Sequence, residues 1–103
     1  MKTIMLACSS GMSTSMLVQR MQKSAEEKGL DLKIFATSLG DIDTQMTSQS
    51  IDLLLLGPQV KYMENSLKEK YEPETPVTTV DMRDYGTMNG EKVLETVLPL
   101  IEG

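Results

Sequence analysis

The chain alternates between short apolar runs and longer segments whose apolar residues recur at helical spacing. The first run, residues 4–7, is typical of a buried strand and ends at Cys8. Residues 14–28 carry apolar side chains on one helical face and polar side chains on the other, and Gly29 is a natural end for that helix. Residues 30–36 alternate apolar and polar side chains, which predicts a half-exposed strand at the edge of a sheet.

The second half of the chain repeats this alternation. A short helix is predicted within residues 39–50, where Asp41 or a neighbouring residue is placed to cap its start. Residues 51–56 are almost entirely apolar and predict a strand buried on both faces, which breaks at Gly57-Pro58. Proline suits the first turn of the helix that we expect next.

This next helix is predicted to bury one face. The apolar residues that mark the face are Val60, Met63, Leu67 and Tyr71. A loop over residues 72–76 then precedes a short strand over residues 77–80. A second loop over residues 81–90 leads to a final helix, which again carries its apolar residues at helical spacing.

The order of these elements predicts an α/β fold in one domain, residues 1–103, with a four-stranded parallel sheet inside a three-layer α/β/α arrangement. Right-handed crossovers and the polar alternation of the second strand favour the strand order 2-1-3-4. The switch point of such a sheet lies between strands 1 and 3, whose carboxyl ends are Cys8 and Gly57-Pro58. Because ligands of this fold class bind at that edge, we expect a site around Cys8.

Composition and charge exclude several classes of function. The formal net charge of −5 is opposite to the basic balance of nucleic-acid-binding proteins, so no nucleic-acid partner is expected. No apolar run approaches the roughly 20 residues of a membrane-spanning helix, and residues 1–3 lead straight into a strand. Neither a transmembrane segment nor a signal peptide is therefore predicted. Cys8 is the only cysteine, which allows no internal disulfide and indicates a cytoplasmic location.

The chain contains no histidine. This excludes an internal cysteine–histidine dyad and a histidine-based metal site, and no metal or other cofactor is predicted. Its two arginines, Arg20 and Arg83, both lie outside the loop that follows Cys8. A thiol enzyme without an internal base must receive a group that is already activated.

The segment after Cys8 has the composition of an anion-binding loop. A loop of small residues between a strand and a helix offers consecutive backbone N–H groups beside the positive end of the helix. These surroundings favour the thiolate and are expected to lower the pKa of Cys8 below the ordinary cysteine value of about 8.5. The same N–H groups would hold the oxygens of a phosphoryl group on the sulfur. The predicted phosphate-binding residues are Ser9, Ser10, Gly11, Met12, Ser13, Thr14 and Ser15.

These residues also have purely structural interpretations. Cys8 can be a small buried residue at a strand end, as free cysteines often are. Ser13 or Thr14 can serve only to cap the first amides of the helix, which is a common role of hydroxyl side chains at such positions. The hydroxyl-rich loop and the helix start favour a reactive thiol, but the role of each hydroxyl stays open.

Two blocks of the sequence resemble one known family. The segment CSSGMSTS, residues 8–15, is similar to the phosphorylation loop of the lactose/cellobiose/chitobiose-type IIB subunits of the bacterial phosphoenolpyruvate:sugar phosphotransferase system. The segment LLGPQVKYM, residues 55–63, resembles that family's segment after strand 3, and Tyr85-Gly86 before the last helix also fits. The resemblance covers essentially the whole chain.

The resemblance implies a phosphocarrier. The family's cysteine, here Cys8, takes a phosphoryl group from a phosphohistidine of the IIA protein, so the histidine that this chain lacks is supplied by the donor. The cysteine then passes the group to a sugar, such as a β-glucoside or disaccharide, bound by the membrane-embedded IIC component. IIC chooses the sugar, and the chain would work in the cytoplasm, transiently at the inner face of the membrane.

Three residues at the neighbouring strand end are expected to dock partners or to support the loop. They are Pro58, Gln59 and Tyr62. Alternatively, Pro58 only starts a helix, and Tyr62 is a surface aromatic residue.

Low-molecular-weight tyrosine phosphatases are the main alternative, because they share this topology and a Cys-x5-Arg loop. Thr14 occupies the arginine position here, so the loop lacks the guanidinium that stabilises a transferring phosphoryl group. Asp81 or Asp84 could act as the phosphatase's general acid, although aspartates are also common turn residues. A redox module is a further alternative, but the chain has no second cysteine to resolve an oxidised Cys8.

Overall fold

Four parallel strands form one sheet in the order β2-β1-β3-β4, as predicted. The structure is a computed structural model that describes residues 1–9 and 11–101, without the side chains of residues 11–13. The strands are β1 (Lys2–Cys8), β2 (Leu32–Ser38), β3 (Leu53–Leu56) and β4 (Val77–Thr79). β1 is central, since Ile4 lies opposite Ile34 of β2 on one side and opposite Leu53 of β3 on the other.

Helices connect the strands in the alternating order that the hydrophobic pattern predicts. The α-helices of the described residues are α1 (Gly11–Glu27), α2 (Ile42–Ser48), α3 (Glu64–Tyr71), α4 (Met82–Gly86) and α5 (Gly90–Ile101). Two 3₁₀ segments, Leu39–Asp41 and Pro58–Met63, lead into α2 and α3. Within residues 1–9 and 11–101, no helix is both long enough and apolar enough to cross a membrane.

Hydrophobic cores on both faces of the sheet confirm the three-layer arrangement. On one face, Ile4 and Leu6 of β1 pack with residues of α1, α4 and α5. On the other face, Met5 and Ala7 pack with residues of α2, α3 and the Pro58–Met63 segment. All four strand residues are fully buried. Burial of a large aliphatic side chain stabilises a fold by roughly 1.5–3 kcal/mol. The side chains of β1 therefore contribute to the stability of both cores.

The connection from α1 explains why β2 begins two residues later than predicted. Gly29 has a φ of 71°. Its N–H donates to the carbonyl oxygen of Glu26 at 3.1 Å, and the N–H of Leu30 donates to that of Ala25 at 2.8 Å. These two bonds form a Schellman cap, so Leu30 belongs to the end of the helix and the strand starts at Leu32.

β3 also begins later than predicted, at Leu53 instead of residue 51. The backbone N–H of Asp52 donates to the carbonyl oxygen of Thr3 at 2.9 Å, as in a strand pair. However, the N–H of Thr3 donates to the carboxylate of Asp52, at 2.8 Å. A side chain therefore replaces a backbone acceptor at this position, and the regular ladder starts one residue further on.

The prediction of a continuous loop over residues 81–90 is wrong, because α4 lies within it. The carboxylate of Asp81 accepts hydrogen bonds from the N–H groups of Arg83, at 2.9 Å, and Asp84, at 3.2 Å. Asp81 is therefore the N-cap of this short helix. This contact supports the structural interpretation of Asp81 as a helix-capping residue.

Three helix starts differ in detail from the prediction. α1 begins at Gly11 instead of residue 14, which shortens the loop after Cys8. The segment after β3 starts as a 3₁₀ helix with a non-helical backbone at Val60, and α3 begins only at Glu64. Asp41 occupies the N-cap position of α2 without a capping bond, because its carboxylate accepts a hydrogen bond from the hydroxyl of Ser38 at 3.0 Å.

Candidate active site

Cys8 is the last residue of β1, at the carboxyl end of the central strand, and is only 3% exposed. The neighbouring chain passes close by, since the N–H of Gly57 donates to the carbonyl oxygen of Ala7 at 2.9 Å. A Cβ added to Gly57 would lie 3.1 Å from the sulfur of Cys8. Gly57 has a φ of −65° and a ψ of 151°, which other residues adopt readily. The glycine therefore provides space beside the thiol.

The N-terminal end of α1 follows Cys8 after a very short loop. α1 has 17 residues, and the positive end of such a helix favours an anion. Thr14 in its first turns is fully buried, whereas Ser9 and Ser15 are exposed. Four of the predicted phosphate-binding residues are not fully described by the structure. Ser10 lies outside the described residues, and for Gly11, Met12 and Ser13 only the backbone is described. The phosphate-binding role of the loop stays a prediction.

Tyr85 of α4 is a site residue that the sequence analysis did not assign. It is 6% exposed, and its Oη lies 3.9 Å from Sγ of Cys8 and 3.4 Å from Oγ1 of Thr14. α4 follows β4 at the edge of the sheet, so Tyr85 reaches back to the end of β1. One signal was present in the sequence: Tyr85 follows the carboxyl end of a strand, and in a parallel sheet all these ends lie at one edge.

Gln59 is the one predicted support residue that the structure brings to the thiol. The Sγ–H of Cys8 donates to Oε1 of Gln59 at a distance of 3.6 Å. Gln59 is exposed and follows the half-buried Pro58, which opens the 3₁₀ segment as predicted. The β3 connection therefore places a neutral acceptor beside the sulfur.

Tyr62 lies on the surface, with 74% of the residue exposed. Met16 of α1 and Met82 of α4 are also exposed, at 51% and 74%. These three residues, named here the apolar rim, lie on the segments that leave the carboxyl ends of β3, β1 and β4.

A cleft of about 700 Å³ between α2 and α3 lies away from this site. Its lining includes Ile51 and Thr75, which precede β3 and β4, so it opens at the opposite edge of the sheet from Cys8. In this cleft the carboxylate of Asp43 accepts hydrogen bonds from Nζ of Lys70 and from the hydroxyl of Tyr71. This cleft is therefore separate from the thiol site.

Comparison with known proteins assigns the chain to a family. A family model described as "PTS system, Lactose/Cellobiose specific IIB subunit" matches residues 3–96. The chain belongs to this IIB family. PTS denotes the phosphotransferase system, and its IIB components act as phosphotransferases in sugar transport.

Individual IIB proteins are similar over most of their length. The galactose-specific EIIB component of Lactococcus lactis subsp. cremoris (strain MG1363) is 50% identical in an alignment of 97 positions, with a coverage of 90% for each chain. The cellobiose-specific EIIB component of Lactococcus lactis subsp. lactis (strain IL1403) is 48% identical in an alignment of 97 positions, again with a coverage of 90% for each chain.

A solved structure supports the same assignment. The solution structure of the cellobiose-specific phosphotransferase IIB component from Borrelia burgdorferi superposes with a TM-score of 0.77 at 38% identity, over 97% of this chain and 91% of that chain. The predicted family and the predicted fold are both confirmed.

Proposed function

We propose that Cys8 of this IIB chain carries a phosphoryl group between two partners of the phosphotransferase system. The donor is a phosphohistidine of a IIA protein, and the acceptor is a sugar bound by a membrane-embedded IIC component. One observation carries the proposal: the chain's only cysteine lies at the carboxyl end of the central strand, directly before the N-terminal end of α1. That end of a helix favours both the thiolate and a bound phosphoryl group.

The transfer consists of two substitutions at phosphorus. In the first, the thiolate of Cys8 attacks the phosphorus, an S–P bond forms, and the N–P bond breaks to release the imidazole of the donor. In the second, the oxygen of a sugar hydroxyl attacks the phosphorus, an O–P bond forms, the S–P bond breaks to release the thiolate, and the hydroxyl proton passes to water. No histidine of this chain is needed, since the group arrives already activated and the chain contains none.

Neutral donors are proposed to hold the phosphoryl oxygens. They are the backbone amides of residues 9–15 together with the hydroxyl side chains of the same loop. Thr14 is fully buried, and its Oγ1 contacts the hydroxyl of Tyr85, which in turn lies 3.9 Å from the sulfur of Cys8. Donors of this kind bind an anion without adding a positive charge that would favour hydrolysis.

The apolar rim and the Pro58-Gln59 segment are proposed to dock IIA and IIC. Both partners must bring a reacting atom to Cys8, so each must cover the edge of the sheet where Tyr62, Met16 and Met82 are exposed. Apolar and aromatic side chains are enriched in the core of protein interfaces. The two partners would therefore use overlapping surfaces and bind in turn, with the IIC complex formed at the inner face of the membrane.

Phosphorylation of Cys8 is tested by mass spectrometry. The chain is incubated with phosphoenolpyruvate, the general phosphotransferase proteins and each candidate IIA protein in turn. We expect one phosphate on the peptide that contains Cys8, and none on a Cys8→Ser variant. Equal phosphorylation of that variant, or no transfer from any IIA protein, would overturn the proposal.

The sugar is tested in membrane vesicles that contain a candidate IIC component. Relatives of this chain carry names that specify galactose or cellobiose, so components for these sugars are the first to examine. We expect phosphorylated sugar to appear with one such component and only when phosphorylated chain is added. The result identifies the sugar that the chain serves.

A further inference from the structure

Tyr85 is held firmly beside the thiol by its short helix. Its N–H donates to the carbonyl oxygen of Asp81 at 2.9 Å, and its own carbonyl oxygen accepts from the N–H of Met88 at 3.1 Å. The ring packs in the core that α1 and α5 share, together with Leu17 and Val93. The position of the phenol is therefore set by the fold, with the hydroxyl at the boundary between that core and the site.

Among the residues that the structure describes, the contacts of the Tyr85 hydroxyl are long. Its oxygen lies 3.4 Å from Oγ1 of Thr14, whereas an O–H···O bond is usually about 2.7–2.8 Å long, and 3.9 Å from the larger Sγ of Cys8. A phenol that is 6% exposed normally has a well-formed hydrogen bond, because burying an unsatisfied donor is unfavourable. Beside the thiol there is therefore a buried hydroxyl with no oxygen acceptor closer than 3.4 Å among the described residues.

We propose that the hydroxyl of Tyr85 donates a hydrogen bond to an oxygen of the phosphoryl group on Cys8. A phosphoryl group places three anionic oxygens beyond the sulfur, within reach of a phenol that already contacts both the thiol and Thr14. A bond from a neutral donor to an anionic acceptor is shorter and stronger than one between neutral groups. Tyr85 is then a phosphoryl-binding residue, keeps its proton throughout, and favours the phosphorylated over the free chain.

This inference rests on the proposed function, and Tyr85→Phe tests it. The variant keeps the ring in the core and removes only the hydroxyl. The measurement is the equilibrium constant for phosphoryl transfer to Cys8 from the IIA protein that phosphorylates the wild-type chain. Loss of a hydrogen bond to a charged group predicts a decrease of about tenfold. Thermal unfolding of both chains confirms that equal amounts of folded protein are compared.

Tyr71→Phe is the matched control. It also removes one hydrogen-bonded phenol, from the contact between Tyr71 and Asp43 at the opposite edge of the sheet. The transfer equilibrium of this variant should equal that of the wild-type chain. An unchanged equilibrium in Tyr85→Phe would overturn the inference while leaving the carrier function intact. Absence of any transfer to the wild-type chain would instead contradict the proposed function itself.

A second measurement uses the wild-type chain and does not depend on a variant. The chain has three tyrosines, so labelling with tyrosine that carries ¹³C at Cζ gives three signals in the NMR spectrum. Phosphorylation of Cys8 should shift the Cζ signal of Tyr85 more than those of Tyr62 and Tyr71, because the new hydrogen bond forms at the adjacent oxygen. A Tyr85 signal that does not move on complete phosphorylation would refute the proposed bond.

Discussion

The sulfur of Cys8 lies 3.6 Å from Oε1 of Gln59, and the thiol donates a hydrogen bond to that amide oxygen. An acceptor stabilises the neutral thiol, whereas the N-terminal end of α1 favours the thiolate. The two influences on the pKa of Cys8 are therefore opposed. Because the side chain of Gln59 is exposed, it can rotate and present its Nε2–H groups as donors once the sulfur is charged or phosphorylated.

Substitutions of Gln59 should move the pKa of Cys8 in opposite directions. Gln59→Ala removes the acceptor and should lower the pKa of Cys8, while Gln59→Glu adds a negative charge and should raise it. The measurement is the rate of alkylation by iodoacetamide as a function of pH, and for the wild-type chain we expect a midpoint below about 8.5. Identical midpoints in the two variants would show that Gln59 does not influence the thiol.

Gly57→Ala should impair the chemistry of Cys8 more than the stability of the fold. The new Cβ would lie 3.1 Å from both Sγ of Cys8 and Oε1 of Gln59, so one of them must move by a few tenths of an ångström. Small displacements of reacting groups strongly lower reaction rates, and we expect phosphorylation of Cys8 to slow by about tenfold. Stopped-flow transfer from phosphorylated IIA measures this effect.

Gly40→Ala is the control for that substitution, because a Cβ at Gly40 meets nothing within 4 Å. Its transfer rate should equal that of the wild-type chain. If Gly57→Ala also transfers at the wild-type rate, then the space beside the sulfur is not needed for phosphorylation.

The parts of the fold that depend on local chemistry could be predicted from the sequence. The apolar run before Cys8 predicts β1, because only a strand buried on both faces suits it. Gly29 predicts the end of α1, since the cap requires a positive φ that glycine adopts without strain. Strand order also followed, because crossover handedness leaves few alternatives.

The composition of the site depends on contacts between distant residues, and the sequence predicts these less well. Tyr85 lies 77 positions from Cys8, and Gln59 lies 51 positions away. Spacing rules do not extend over such separations, so Gln59 could be placed only at the correct edge of the sheet. Tyr85 was missed because α4 was interpreted as a loop, although Asp81 supplied a helix-start signal.

Gly90→Ala should destabilise the fold. Gly90 begins α5, and a Cβ there would come within 2.6 Å of backbone atoms of Arg20 and Met21 in α1. The two helices would have to separate, and overpacking of this kind typically costs about 1–3 kcal/mol. Urea denaturation measures the free energy of unfolding, with Gly40→Ala again as the control. Equal stability of the two variants would contradict close contact between α1 and α5.

Tyr71 should deprotonate unusually late. Burial and, next, the hydrogen bond to Asp43 raise the pKa of Tyr71 to about 12. The measurement is absorbance at 295 nm as a function of pH, for the wild-type chain and for Tyr71→Phe. The difference between the two curves should have its midpoint near this pKa. Since an unfolded tyrosine titrates near 10, the stability that depends on Tyr71 is complete below pH 10 and is lost between pH 10 and 12. A midpoint near 10 would show that the contact with Asp43 does not persist in solution.

The pKa of Asp43 is shifted in the opposite direction from that of Tyr71. Hydrogen bonds from Lys70 and then Tyr71 lower the pKa of its carboxyl below 3.8. Its contribution to stability is therefore complete above pH 3.8 and is lost as the pH falls through the lowered value. An Asp43→Asn variant should lose stability relative to the wild-type chain at pH 6, and the difference should shrink on acidification.

The free chain should be a poor phosphatase, because Thr14 stands where the related phosphatases place an arginine. A hydroxyl supplies less charge to the transition state of hydrolysis than a guanidinium does. Turnover of p-nitrophenyl phosphate by the wild-type chain should match that of Cys8→Ser, with a low-molecular-weight tyrosine phosphatase as comparator. Turnover comparable to that enzyme would overturn the carrier proposal.

An arginine introduced at position 14 tests directly whether the absence of a positive charge protects the phosphocysteine from hydrolysis. Thr14 is fully buried, and its Oγ1 lies 3.4 Å from the hydroxyl of Tyr85, so Thr14→Arg alone should be overpacked and unstable. Combining it with Tyr85→Ala provides volume for the guanidinium, and Tyr85→Ala alone is the matched control. If the double variant is folded and accepts phosphate, its phosphocysteine should hydrolyse faster than that of the control. An equal rate would mean that exclusion of water, and not the absence of a positive charge, protects the phosphoryl group on Cys8.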